Sequence, residues 1–221
     1  MKSLILALLV GSIFLVLPFV GKAIQGDDSL KLYLPFEEGK GKVAKDKSGN
    51  GNDGTLEGET KWIDGKYGKA ISLNGKDSGV TVPDSDSLDT PDEITVEAWI
   101  YPLSVNVDYP EIVLKGYGTA FEMYVLKDLA IDWEFHIGGW KTVNSGVGTV
   151  SLKKWLHAAG TYDGKATKIH VNGAKMGNAG HSGDLGVNGA PILIRYRLRD
   201  MKFRICSSRV SLTMLLFITE L

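Results

Sequence analysis

Short runs of alternating apolar residues, cut off at close intervals by Asn-Gly and Asp-Gly pairs, fill the chain from Leu30 to Ile194. Alternation with period two puts every second side chain on one face of an extended segment, whereas a helix needs apolar spacings of three and four. No sustained helical spacing occurs after Ser29. In residues 30–36, Leu30, Leu32 and Leu34 fall on one side and Lys31 and Tyr33 on the other. Strands are predicted in the same way over 69–73, 79–82, 94–101, 110–115, 120–126, 130–137, 155–162, 168–171 and 191–194. Between them lie Ser48-Gly49-Asn50-Gly51-Asn52, Asn74-Gly75, Asp163-Gly164 and Asn172-Gly173. Asn and Gly tolerate the positive φ that tight hairpins require. Many short strands joined this way predict an all-β fold, two antiparallel sheets stacked as a jelly-roll sandwich.

Composition narrows the function. The 221 residues carry 25 Lys and Arg against 26 Asp and Glu, so no basic excess points to nucleic acid. One Cys excludes an intrachain disulfide and any multi-Cys metal centre. Residues 1–23 read as a secretory signal peptide. Met1-Lys2 precedes an apolar run from Leu4 to Val20, and Gly21-Lys22-Ala23 is small at both flanking positions. The run is close to the length that spans a bilayer, but Pro18 and the small residues after it favour cleavage. The expected location is therefore secreted or cell-surface, with no membrane attachment afterwards. Residues 24–194 form the predicted domain and 195–221 an atypical tail.

Several blocks resemble a known family. Leu34-x-Phe36-x-Glu38-Gly39, Asp46-x-Ser48-Gly49-Asn50-Gly51-Asn52-x-Gly54 and Gly65-x-x-Gly68-x-Ala70-x-x-Leu73-x-Gly75 are similar to the opening of laminin-G-like, concanavalin A-like jelly-roll domains. Thr95–Pro102, Trp155–Gly164 and Val171-Asn172-Gly173 continue the resemblance in order. It implies a secreted adhesion or ligand-recognition module and leaves the ligand open, because one fold hosts many functions.

The tail departs from that family, whose last strand resembles Gly-x-Ile-Asp-Glu-Val. All five Arg (195, 197, 199, 204 and 209) lie after Ile194, with one of the 20 Lys, and every Gly and Pro lies before it. A random shuffle of the basic residues gives this about once in 10⁴. The expectation is an out-of-frame read beginning near Arg195, which sequencing of the locus would test. The alternation of Val210, Leu212 and Met214 with Ser211 and Thr213 is the contrary sign, a divergent but native strand.

The chemistry-bearing residues are few. Trp62, Trp99 and Trp155 fall in the family-like blocks and read as core or hairpin-packing aromatics, and Trp133 shares the apolar face of 130–137 with Ile131, Phe135 and Ile137. Trp140 follows Gly138-Gly139 and is expected in an exposed turn, where its ring could stack on a sugar. Asp132, Glu134 and His136 occupy the other face of the same predicted strand. Trp140, His136, Glu134 and Asp132 are thus the candidate ligand contacts, for a glycan or an extracellular protein. The stretch Ala130–Phe135 is similar to the catalytic strand of laminarinase-type hydrolases, which carries Glu-x-Asp-x-Glu. That alignment puts Glu134 at the acid/base position, Asp132 at the helper and Ala130 at the nucleophile. A retaining hydrolase needs two carboxyls about 5–5.5 Å apart, and alanine supplies none. The leading expectation is a non-enzymatic binding module, the alternative a degenerate hydrolase using Asp132 and Glu134. Asp46, Asn50 and Asn52 offer oxygens in one loop and are the candidate calcium ligands. His157 reads as structural, and the four His show no zinc spacing.

Overall fold

The computed structural model describes residues 28–105 and 111–195, together with the backbone of 203–206 and 213–216. The leader expected over 1–23 lies outside the described residues, as does most of the tail. Seventeen strands are described: β1 Leu30–Leu34, β2 Val43–Ala44, β3 Gly54–Glu57, β4 Lys61–Asp64, β5 Lys69–Leu73, β6 Gly79–Val82, β7 Ile94–Ile100, β8 Glu111–Lys115 and β9 Phe121–Val125. They continue with β10 Ile131–His136, β11 Trp140–Asn144, β12 Leu156–Tyr162, β13 Ala166–Val171, β14 Ala174–Gly180, β15 Ile192–Arg195, β16 Phe203–Cys206 and β17 Thr213–Leu216. The helical element among the described residues is a single 3-10 turn, Asp86–Leu88. Each of the ten segments predicted as strands is a strand, with ends moved by at most two residues.

Two sheets are built from them. One runs β11-β10-β9-β8-β15-β6-β3-β2; the other runs β14-β13-β12-β7-β16-β5-β4, with β17 joining β7 to β1. Every pairing is antiparallel except the two that β17 makes. β16 lies between β5 and β7, pairing Ile205 with Ile71 and Cys206 with Trp99. The Asn172-Gly173 pair makes the tight β13–β14 turn with φ of 50° and 81°, the left-handed pair of values that type I′ hairpins demand.

The alternating apolar faces meet between the sheets in one continuous core. Leu30, Leu32 and Leu34 of β1 point inward, and so do Ile94, Val96, Ala98 and Ile100 of β7. From the facing sheet come Ile131, Trp133 and Phe135 of β10 and Ile192 and Ile194 of β15. The Phe135 ring lies 5.1 Å from that of Tyr162 on β12, which stitches the layers together. The molecule is an all-β, two-sheet jelly-roll sandwich.

Candidate functional site

Because Trp133 and Phe135 point into the core, the even-numbered residues of β10 must face outward. Their partners on the neighbouring strands follow from register. Asp132 stands opposite Tyr124 of β9 and Asn144 of β11; Glu134 stands opposite Glu122 and Thr142; His136 stands opposite Trp140. The outer face of β9–β11 therefore gathers all four predicted ligand residues and adds Glu122, Tyr124, Thr142 and Asn144.

Hydrogen bonds fix the polar members. Asp132 accepts from the Tyr124 hydroxyl at 3.2 Å and from the Asn144 amide. Glu134 accepts from the Thr142 hydroxyl at 2.9 Å, and Glu122 from the Gly118 N–H at 3.3 Å. Glu122 is only 5% exposed and Asp132 8%. Burial pushes the Glu122 carboxyl above the usual carboxylate range, and the neighbouring Glu134 charge adds to it. Burial also raises Asp132, against the opposing pull of its Asn144 and Tyr124 donors. The Tyr124 phenol is pushed far up by burial and by Glu134 and Asp132, so it stays a neutral donor.

At the rim the surface turns aromatic. Trp140 is the first residue of β11 rather than part of a free turn, yet it keeps 44% of its surface exposed. Its ring meets His136 edge-on at 6.1 Å. The β8–β9 turn closes in from the side, with a Cβ on Gly118 falling 3.8 Å from the Trp140 ring. In that turn Tyr117 is 71% exposed. Tyr117 and Glu122 escape a sequence reading, since one sits in a turn and the other in a strand with no polar pattern around it. Cross-strand register places Glu122 beside Glu134, and the approach of Gly118 brings the turn that carries Tyr117 toward Trp140.

The laminarinase-like alternative finds little support in this geometry. Ala130 is wholly buried and offers only a methyl group at the nucleophile position, and Asp132 is tied to two donors. Trp62 and Trp99 pack half-buried against the core, while Trp155 meets Tyr101 edge-on at 5.4 Å. His157 lies 3.3 Å from Glu97 and 5.3 Å from the Trp99 ring, a packed structural histidine.

The Asp46–Asn52 loop does bring Asp46, Asn50 and Asn52 together, but their polar atoms face one another and the backbone. Asp46 Oδ1 accepts the N–H groups of Tyr33 and Ser48, and Oδ2 accepts the Ser48 hydroxyl and the Asn52 N–H. Asn52 Oδ1 accepts from Ser85, while the Asn50 and Asn52 amides donate to carbonyls of β1. Calcium needs several free oxygens, and this set does not fit it. Adding calcium or EDTA is accordingly expected to leave the thermal midpoint unchanged. A calcium-dependent rise, lost in Asp46→Ala, would restore the loop as a cation site through binding linkage.

The family model described as the concanavalin A-like lectin/glucanases superfamily matches residues 74–205. No curated protein sequence matches the chain. Among solved structures, the binding domain of Paraclostridial mosquitocidal protein 1 aligns with a TM-score of 0.70 at 19% identity, covering 80% of this chain and 47% of that one. Domain 4 of AbnA, an extracellular arabinanase from Geobacillus stearothermophilus in complex with arabinotriose, aligns at 0.57 and 20%, covering 72% and 84%. The binding domain of botulinum neurotoxin DC, in complex with SialylT, aligns at 0.62 and 15%, covering 80% and 46%. The chain thus spans just under half of each toxin domain. At these identities the likeness shows a shared fold.

Proposed function

We propose, from the premise that this chain belongs to the concanavalin A-like lectin/glucanases superfamily, that it is an exported, non-enzymatic module binding a glycan on the outer face of β9–β11. The observation that carries this reading is the convergence of Trp140, His136, Glu134 and Asp132 on one sheet face, with an exposed indole at its rim. An exposed ring edge-on to a histidine offers an apolar face for a pyranose or furanose, and fixed carboxylates beside it accept sugar hydroxyls. The complexes of two structural neighbours with arabinotriose and SialylT support a sugar as ligand before a protein. Export through cleavage of residues 1–23, with the domain beginning at residue 24, belongs to the same proposal.

A glycan array followed by calorimetry tests it. Trp140→Ala is expected to weaken binding of any captured glycan by at least about tenfold, roughly 1.4 kcal/mol, with the thermal midpoint held. Because Trp140 is exposed, folding does not depend on it. Binding that is indifferent to Trp140→Ala would remove the rim from the account. The same preparation is expected to release no reducing ends from β-glucans; turnover lost in Glu134→Gln would instead favour the hydrolase reading.

A further inference from the structure

Charge on the proposed face goes further than the ligand contacts do. Glu122 and Glu134 are direct cross-strand partners, which puts their Cβ atoms about 5 Å apart. Asp132 follows Glu134 by two residues on the same strand, about 6.5 Å away. The outer positions of β9–β11 are Glu122, Tyr124, Asp132, Glu134, His136, Trp140, Thr142 and Asn144, three carboxylates with no Lys or Arg. Among the described residues, no ion pair joins any of the three to a cation. Two of them are more than nine-tenths buried, so water screens them poorly. Two other buried charges are paired: Lys115 meets Asp84 and Glu97 meets His157. The carboxylates of β9 and β10 are left facing one another.

We propose that this face selects its ligand by charge, taking glycans that carry a protonated amine in preference to their acetylated counterparts and rejecting sialylated or uronate glycans. The inference rests on the reading of β9–β11 as the binding face. An ammonium group has three donors and no acceptor. Placed at Glu134, the half-exposed member of the pair, it makes a charge-assisted hydrogen bond there and relieves the repulsion from Glu122 behind it. An anionic sugar meets like charge with no counterion, the arrangement that suppresses wrong partners. Trp140 at the rim receives either sugar ring and adds attraction for a cation near its face.

Three probes decide it by calorimetry near neutral pH: glucosamine oligomers, N-acetylglucosamine oligomers of equal length, and sialyllactose. The amine-bearing oligomer is expected to bind at least about tenfold more tightly than the acetylated one, with a ratio that shrinks as salt is raised. Sialyllactose is expected to give no heat. Glu122→Gln, checked for an unchanged thermal transition, should bring the ratio toward one. Equal binding of the amine and acetylated oligomers, or sialyllactose binding as tightly as either, overturns the charge selection while leaving the binding face intact. Binding of all three that ignores Trp140→Ala overturns the face itself, and the charge selection with it.

Discussion

Trp133→Ala lowers the stability of the sandwich by about 3–5 kcal/mol, read as a fall of roughly 6–20 °C in thermal midpoint. Trp133 is wholly buried on the inner face of β10, with the rings of Phe121 and Phe135 5.8 Å and 6.0 Å away. Across the sandwich β12 approaches at Gly160, where a Cβ would fall 2.6 Å from Trp133 Cγ. The indole thus fills the space a side chain at 160 would take, and truncation leaves a cavity that β12 cannot close. Its N–H finds no acceptor among the described residues, so shape, not a hydrogen bond, keeps tryptophan there. The reciprocal change is informative. Gly160→Ala overpacks the native core and costs about 1–3 kcal/mol, but in a Trp133→Leu background the added methyl has room. A double-mutant cycle should give a coupling of about 0.5–3 kcal/mol. Additive effects of the two changes would show that Gly160 is not the partner of Trp133.

Trp133 also shows what alternation can and cannot reveal. Its inward direction was legible because Ile131, Phe135 and Ile137 flank it at period two, and the same count sent Asp132, Glu134 and His136 outward. That Gly160 stands across from it was not legible, since sheet-to-sheet contacts depend on topology that no local pattern carries. Strands β2, β3, β4, β11, β14 and β16 escaped, and for β11 and β14 the reason is exposure. β14 is exposed or half-exposed along its whole length and β11 along most of it, so neither shows the apolar half of the alternation, and their pairing with a neighbour holds them extended. Trp140 follows Gly138-Gly139 and reads as turn from the sequence because the strand it opens is polar. Glu122 shows the limit in the site itself. Within Phe121–Val125 every residue is buried, so nothing in the sequence marks this carboxylate as a neighbour of Glu134; only the register of β9 and β10 does.

Lys115→Met is expected to cost about 3 kcal/mol and to weaken the proposed glycan binding as well. Lys115 ends β8 opposite Phe121 and Ile192, both core residues, and is only 2% exposed. All its donors are used: Nζ binds a carboxylate oxygen of Asp84 and the carbonyls of Asn188 at 2.9 Å and Ala190 at 3.1 Å, with Asp89 3.6 Å away. Methionine keeps most of the volume and removes every one of these bonds. Replacing both members of a buried pair by apolar residues can be neutral, whereas removing one strands the other. Here Asp84 is partly exposed and recovers some hydration, which trims the loss; the two carbonyls lose their donor outright. The consequence for the site follows through Asn188, whose amide donates to Thr119 at 2.8 Å in the turn that carries Tyr117. Without Lys115 that loop loses its anchor, and with it the support for the turn beside Trp140. Lys115→Met, Asp84→Leu should recover part of the stability but not the binding, because the carbonyls of residues 188 and 190 still lack a donor. Full recovery of both in the double variant would mean that the Lys115–Asp84 pair alone, not the carbonyl contacts, sets the rim.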